Sequence, residues 1–393
     1  MMRIVPAGAR ARADAARSSG HVIPEPWLDI LDRAVMHRGP DGAGRFRDRS
    51  VRPDGTLVDV ALVHRRLAIL DRAGGHQPMV GGPSPEGHSS FTGPDAGRQG
   101  PGGAPPCPVC GPGRRAVVFN GCIYNHRELR AELQAAGHRF ATDHSDTEVL
   151  LHGWAHWRRG LWRRLEGMFA VGMWDAAAGG AVLARDQFGE KPLYLWTVDR
   201  DGVRWHVWAS VPPELTALRP ALGGGAAEAP RPGAASLLEW VRFGFAPAAP
   251  TMVGTAVAPG QAITYLPGTP GHDPAPCDDL GAPEPPGSAL FGVLSPDGPL
   301  AHRRTAPLDA GAVEVALRGA VRLRLEADVP VGCFLSGGVD SALVAFLAGE
   351  AAGGPSTFTV RMPDPELDES EAAGEAARAI GSRHHTLDCG ASP

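Results

Sequence analysis

The sequence predicts two domains of different architecture, a layered α+β domain followed by a parallel α/β sheet. Three observations carry this. The chain has 393 residues, which sets an expectation of two or three domains. In the N-terminal half, apolar strands flank capped helices and are followed by more strands, the order of an α+β layered unit. In the C-terminal part the order becomes strand, helix, strand, helix, which implies parallel strands.

Taken in order, Ala116–Phe119 (AVVF) reads as a short strand. Asn125 caps a helix, HRELRAELQAA, that ends at Gly137. Ser145-Asp146-Thr147-Glu148 has the spacing of a capping box before a second apolar-periodic helix. Met168–Trp174 and Ala181–Arg185 read as strands joined by a turn at Gly179-Gly180. The second organised region starts near Ala234: Leu237–Phe243 reads as helix, Gln261–Tyr265 as strand and Ala310–Ala327 as helix. Val329–Leu335 (VPVGCFL) then reads as a strand, SALVAFLAGEA as a helix, Thr357–Val360 as a strand and Glu369–Ile380 as a helix. Two stretches, Gly81–Gly113 and Pro267–Gly287, are rich in Gly, Pro, Ser and small polar residues, and read as surface insertions that cannot bury enough apolar area to offset their ordering entropy. The expected domains are therefore 1–215 and 234–393.

Composition excludes several function classes. The chain is 43% apolar and 21% charged with a net charge of −5, so no basic field attracts nucleic acid and no basic tract suggests a membrane surface. No apolar run reaches the ~18 residues of a membrane span. Lys191 is the only lysine, which reads as a coding bias toward arginine. The Arg- and Ala-rich start, Met1–Gly20, lacks the apolar core of a targeting segment. Six cysteines in a chain this long do not make a disulfide framework, and a reducing, cytoplasmic setting is expected. Cys107 and Cys110 form a CxxC with no second pair nearby, so free thiols in a loop are expected in place of a four-ligand zinc site.

The sharpest motif is Ser336-Gly337-Gly338-Val339-Asp340-Ser341, set between a strand and a helix. Adjacent glycines let backbone N–H groups face an anion, and the helix adds its free N–H groups and positive dipole end. Ser336 and Ser341 add hydroxyls. Asp340 would repel a phosphate unless a cation lies between them, which points to Mg2+ as a bridge. The same six residues also fit a plain strand-to-helix turn. The motif is not the Walker form, because no Gly-Lys-Ser/Thr follows. It resembles the pyrophosphate loop, SGGxDS, of ATP pyrophosphatases, which cut ATP between the α and β phosphates. The resemblance implies that Leu335, Ser336, Gly337, Gly338, Asp340, Ser341 and Val360 bind ATP, with Leu335 and Val360 against the adenine.

Five further segments sharpen the reading. They are His37-Arg38-Gly39-Pro40-Asp41-Gly42, His64-Arg65-Arg66-Leu67-Ala68-Ile69, Phe119-Asn120-Gly121-Cys122-Ile123-Tyr124-Asn125, Ser145-Asp146-Thr147-Glu148 and the run Ala184–Tyr194 (ARDQFGEKPLY). In order and spacing they resemble the class II glutamine amidotransferase domain of asparagine synthetases, from about His37 to the chain end. The resemblance implies a four-layer αββα domain of the N-terminal-nucleophile fold, followed by an incomplete Rossmann-like α/β domain of the adenine-nucleotide-hydrolase type. It implies glutamine binding by Arg66, Asn120, Gly121 and Asp146. Arg66 would grip the α-carboxylate, Asp146 would receive the α-ammonium, and Asn120 and Gly121 would form an oxyanion hole.

The implied activity is ATP-dependent conversion of aspartate to asparagine, with ATP and Mg2+ as cofactors and ammonia supplied by glutamine or from solution. The implied partners are small molecules, and a homodimer is compatible with this reading. Two alternatives stand beside it: a non-catalytic fragment or pseudoenzyme that binds nucleotide or glutamine, and a related amidotransferase with another carboxylate acceptor.

The sequence departs from the family at both ends. Family members begin Met-Cys-Gly-Ile, and the exposed cysteine attacks glutamine with its own α-amine as base. Here the start is Met1-Met2-Arg3-Ile4 and no cysteine precedes Cys107, so the glutaminase half is expected to lack its nucleophile. A miscalled or degenerate start and an ammonia-dependent variant are the two accounts of this; nothing marks a cleavage that would expose Ser18 or Ser19. Cys122 stands where the family usually has Glu, which removes a partner for the substrate ammonium. The chain ends at Pro393, short of a full synthetase domain. An exposed apolar sheet edge and poor solubility are expected. His384-His385 falls on an expected strand and reads as a solvent-facing pair.

Overall fold

The structure, a computed structural model, describes residues 1–5, 23–81, 89–92, 113–222, 241, 254–265, 275–277 and 309–390. The helix expected at Leu237–Phe243, the CxxC pair, Ser18 and Ser19 lie outside the described residues, apart from Val241. The chain divides into two compact units, Met1–Gly292 and Val293–Pro393. No helix among the described residues is long and apolar enough to cross a membrane.

The first unit contains strands β1 (Met2–Val5), β2 (Gly42–Val51), β3 (Leu57–Arg66), β4 (Met79–Gly81), β5 (Ser89–Thr92), β6 (Arg115–Ile123), β7 (Gly167–Asp175), β8 (Gly180–Arg185), β9 (Tyr194–Arg200), β10 (Val203–Ala209), β11 (Thr255–Ala256), β12 (Ala262–Thr264) and β13 (Ala275–Cys277). Its helices are α1 (Glu25–Val35), α2 (His126–Ala135), α3 (Asp146–Trp157) and α4 (Pro212–Leu218). One sheet has seven strands in the order β11-β9-β10-β1-β3-β2-β5, and the other six, in the order β13-β12-β8-β7-β6-β4. All pairings described in both sheets are antiparallel.

The layering follows from strand alternation. On β6, Val117, Phe119 and Ile123 face one way and pack with Leu129, Leu133, Val149, Leu150 and Trp154 of α2 and α3. Ala116 and Val118 face the other way, into a core shared with Met2, Ile4, Phe46, Val58 and Val60 of the opposite sheet. Outside that sheet, Leu28 of α1 and Leu215 and Leu218 of α4 cover Trp205 and Val207. Three apolar seams thus bind four layers, helix, sheet, sheet, helix, as expected for the first domain.

The structure corrects several local readings. The strand expected at Gln261–Tyr265 forms over Ala262–Thr264 but pairs with β8, so it belongs to the first unit's sheet and the units divide after Gly292, not near Ala234. The two insertions each lay a short edge strand, β5 on β2 and β13 on β12. Edge pairing uses backbone groups and so tolerates a poor side-chain composition. The capping box does not close: Ser145 makes no side-chain cap hydrogen bond, and Glu148 instead accepts Ala141 N–H at 2.7 Å and Thr142 N–H at 2.8 Å. Asn125 likewise sits at the start of α2 without capping it; its side chain donates to Arg164 O at 2.8 Å and accepts Glu166 N–H at 3.0 Å.

The second unit holds helices α5 (Ala310–Leu323), α6 (Val339–Ala352) and α7 (Ser370–Ile380) and a parallel sheet, β14 (Gly332–Phe334), β15 (Ser356–Arg361) and β16 (Arg383–Asp388), in chain order. Its core is small. Leu335, Ala345, Ala373 and Ala377 form one cluster; Val321, Leu347 and Ala348 form another, with Cys333 against both. Burial pushes the Cys333 thiol above its ordinary range. The run expected as strand from Val329 pairs only over Gly332–Phe334, and Phe334 is 84% exposed. His385 stacks on Phe358 with ring centroids 5.0 Å apart, and His384 Nδ1 lies 3.0 Å from Thr357 Oγ1, so the histidine pair contacts β15 as well as solvent.

Candidate functional site

In the first unit Asn120, Gly121 and Asp146 lie where β6 meets the start of α3, and Arg66 ends β3. Asp146, the first residue of α3, is buried, and its Oδ2 accepts the Ile123 N–H at 3.1 Å. Burial pushes its carboxyl up to about 6, against hydrogen bonds that favour the charged form. Asn120 and Gly121 lie just before Ile123 on β6. The Asn120 Nδ2 is buried and has no hydrogen-bond partner among the described residues, a donor left available for an incoming oxygen. Gly121 is required: its φ is +152°, and a Cβ there would fall 1.9 Å from Met168 O. Asn120 and Cys122 share one face of the strand.

Arg66, the last residue of β3, lies in a segment held by one other motif, through Asp41. Asp41 N–H donates to Arg66 O at 3.0 Å, and the Asp41 carboxylate accepts Ala68 N–H at 2.8 Å. Its guanidinium is directed at the loop that follows: Nη1 donates to Arg72 O at 2.9 Å, and Nη2 donates to Leu70 O at 2.9 Å and Asp71 O at 2.7 Å. In this arrangement Arg66 pins the loop, and a bidentate grip on a carboxylate requires one or more of these bonds to open.

Sequence reasoning missed the residue that ties this loop to the rest. Gln77 Oε1 accepts Phe119 N–H at 2.6 Å, and its Nε2 donates to Thr147 Oγ1 at 3.3 Å. One side chain therefore joins the loop held by Arg66, the strand carrying Asn120 and the helix carrying Asp146. A glutamine in an otherwise loop-like Gly-Gly-His-Gln-Pro run was the available signal. The Ala184–Tyr194 motif is structural: the buried Asp186 accepts the N–H groups of Phe169, Phe188, Glu190 and Lys191. Met2 lies where the resemblance expects the nucleophile, and its side chain is buried between the sheets.

In the second unit, Ser336–Ser341 turns from β14 into α6, with Gly338 at the helix N-cap. The Ser336 and Ser341 hydroxyls lie 2.9 Å apart. Ser341 Oγ accepts Ser336 N–H at 3.1 Å and donates to Gly338 O at 3.1 Å, while Gly338 N–H donates to Ser336 Oγ at 3.3 Å. The hydroxyls thus fold the turn on itself. Asp340 is exposed in the first turn of α6. The two expected adenine contacts differ: Leu335 is buried in the small core, whereas Val360 is 45% exposed. Glu369, which sequence reasoning did not single out, accepts the Gly337 N–H through Oε2 at 3.0 Å. Among the described residues no group of three or more His, Cys, Asp or Glu is placed to hold a metal.

Comparison with known proteins matches both halves. A family model described as a glutamine amidotransferase domain covers residues 19–85 and 102–245, more than half the chain, and one described as asparagine synthase covers 312–392. Asparagine synthetase [glutamine-hydrolyzing] 1 of Bacillus subtilis is 28% identical over 91% of this chain and 46% of its own length. A putative asparagine synthetase [glutamine-hydrolyzing] of Mycobacterium tuberculosis is 30% identical over 96% of this chain and 49% of its own. The chain thus spans about half the length of the curated relatives it matches. A solved structure described as the allosteric regulatory enzyme of purine biosynthesis aligns over 98% of this chain and 80% of that one, at 13% identity and a TM-score of 0.42, too slight a likeness to bear on the fold.

Proposed function

The chain belongs to the glutamine amidotransferase domain family, and from that premise we propose that it is part of an asparagine synthetase-type amidoligase. ATP adenylates the β-carboxylate of aspartate, releasing pyrophosphate, and ammonia displaces AMP to give the amide. The observation that carries the reading is the Ser336–Ser341 turn, set between a parallel strand and a helix N-terminus inside the segment that matches asparagine synthase. Backbone N–H groups and the helix dipole suit a polyphosphate there.

Ser336, Gly337, Gly338 and Ser341 hold the pyrophosphate portion of ATP, Asp340 receives Mg2+, and Val360 lies beside the base. The residues fit the group in one testable respect: the Gly337 N–H already serves an anionic oxygen, that of Glu369. The second unit is read as a Rossmann-like α/β domain on the same ground, its strands being parallel and its glycine loop lying at a strand's C-terminal end.

Glutamine binds in the first unit. Asp146 receives its ammonium, Arg66 its carboxylate, and the Asn120 Nδ2, unpartnered among the described residues, with Gly121 N–H stabilises the oxyanion that forms at its side-chain carbonyl. The four-layer scaffold and the placing of Asn120, Gly121 and Asp146 at the β6–α3 junction support an N-terminal-nucleophile reading of that unit.

The test has two arms. Calorimetry is expected to detect Mg-ATP uptake by the full chain, reduced tenfold or more by Asp340→Ala, roughly the loss of one charge-assisted contact. Release of pyrophosphate and AMP is then followed with aspartate and ammonium, and again with glutamine. Uptake without pyrophosphate makes the chain a nucleotide binder without turnover, and no uptake ends the nucleotide reading.

A further inference from the structure

The contact between Glu369 and the glycine loop leads beyond the assignment of the loop itself. Glu369 lies at the N-terminal end of α7, and its carboxylate accepts the Gly337 N–H at 3.0 Å. The side chain packs over the loop closely enough that a Cβ on Gly337 would lie 3.4 Å from Glu369 Cβ and 3.7 Å from its Cδ. The preceding residue fixes this placement: the Asp368 carboxylate accepts Met362 N–H at 3.3 Å and Ser370 N–H at 3.1 Å, and Ser370 Oγ donates to it at 2.9 Å. Arg361, the nearest basic residue in this network, donates to Ser370 Oγ at 3.4 Å and Asp388 Oδ1 at 3.3 Å. Among the described residues Glu369 has no cationic partner. Its charge is directed at a backbone amide of the loop.

We propose that Glu369 determines which anions the Ser336–Ser341 loop accepts, by standing on Gly337 N–H where a phosphate oxygen would bind. The inference rests on the nucleotide reading of that loop. A carboxylate and a phosphate oxygen compete for one amide hydrogen, and like charges a few ångströms apart repel. A bare anion must therefore evict Glu369 against that repulsion. A polyphosphate carrying a divalent cation approaches with its charge largely neutralised and offers the displaced carboxylate a favourable neighbour. The loop so built discriminates against free phosphate and pyrophosphate and takes the metal-complexed nucleotide. With the loop empty, Glu369 keeps Gly337 N–H paired and the turn in its anion-binding form.

The experiment compares the full chain with Glu369→Ala and Glu369→Gln, the latter keeping an oxygen acceptor without its charge. Two probes are titrated by calorimetry: inorganic pyrophosphate in a chelator, and Mg-ATP. Uptake of bare pyrophosphate is expected to tighten about tenfold in Glu369→Ala, that of Mg-ATP by about threefold or less, with Glu369→Gln in between. Hydrogen exchange at the Gly337 amide is expected to quicken in Glu369→Ala while the interior of α6 keeps its protection, which shows that the variant is folded. Unchanged or weaker pyrophosphate uptake in a folded Glu369→Ala overturns the inference and leaves the nucleotide reading in place. Absence of both ligands from all three proteins, with the loop's exchange pattern intact, overturns both.

Discussion

At Asp146 burial and the proposed ammonium contact pull in opposite directions. The carboxyl is removed from water at the start of α3, and desolvation raises it to about 6. Folding therefore favours its protonated form. Between the ordinary value of 3.8 and about 6 the unfolded chain has released this proton and the folded chain has not, so the group erodes stability as pH rises through that window. An α-ammonium brought against it would favour the ionised form. Glutamine uptake is thus expected to strengthen as pH rises through about 6, and Asp146→Asn to weaken it about tenfold or more and flatten the pH profile. Calorimetric titration across pH 5–8 checks this; an Asp146→Asn protein with the parent's affinity and slope would remove Asp146 from the site. Arg66 shows the converse. The family resemblance implied a carboxylate grip, but its terminal nitrogens hold the carbonyls of Leu70, Asp71 and Arg72.

Among the elements, the 67–78 loop joins strands of both sheets and α3 through one side chain. Gln77 supplies the acceptor for the buried Phe119 N–H and reaches Thr147 on α3. Gln77→Ala leaves that amide without its partner in the interior, a cost of about 1–3 kcal/mol, measurable as a lowered urea midpoint at unchanged slope. Because the same side chain links the elements that carry Arg66, Asn120 and Asp146, the variant is also expected to bind glutamine less tightly than its stability loss alone predicts. Wild-type affinity in a folded Gln77→Ala would reduce Gln77 to a packing residue. Helix starts show why spacing was a partial guide. Ser145-x-x-Glu148 has the cap spacing, but Glu148 serves the amides of Ala141 and Thr142 and lies 3.3 Å from His152 Nε2. The helix forms there because Val149, Leu150 and Trp154 are buried, whichever way Glu148 turns.

Over the whole molecule, apolar burial is unevenly divided. The first unit is bound by three seams that include the fully buried Trp154 and Trp174. The second relies on Leu335, Val321, Leu347 and four alanines. A fully buried leucine-sized side chain contributes roughly 1.5–3 kcal/mol, and an alanine far less. Hydrogen exchange in 332–388 is therefore expected to exceed that in β6, β7 and α3, and calorimetry to resolve a weaker early transition. A single cooperative melt with uniform protection would contradict this. Exposed apolar side chains concentrate in the same unit: Phe334 is 84% exposed, Val339 81%, Leu367 63% and Leu387 57%. Self-association at high concentration is the expected consequence.

The sequence by itself determined the alternation of elements and the glycine loop before α6, because hydrophobic period and glycine placement are local properties of the chain; Arg66, Asn120, Gly121 and Asp146 came from the family resemblance of their motifs. Only the tertiary structure decided which strands share a sheet, so that Ala262–Thr264 joined β8 and the two insertions supplied edges. The directions taken by Arg66, Gln77, Glu148 and Glu369 were also settled there. Each of these side chains bonds to a backbone group on another segment, and a polar side chain's partner is chosen by what the fold brings within about 3 Å of it.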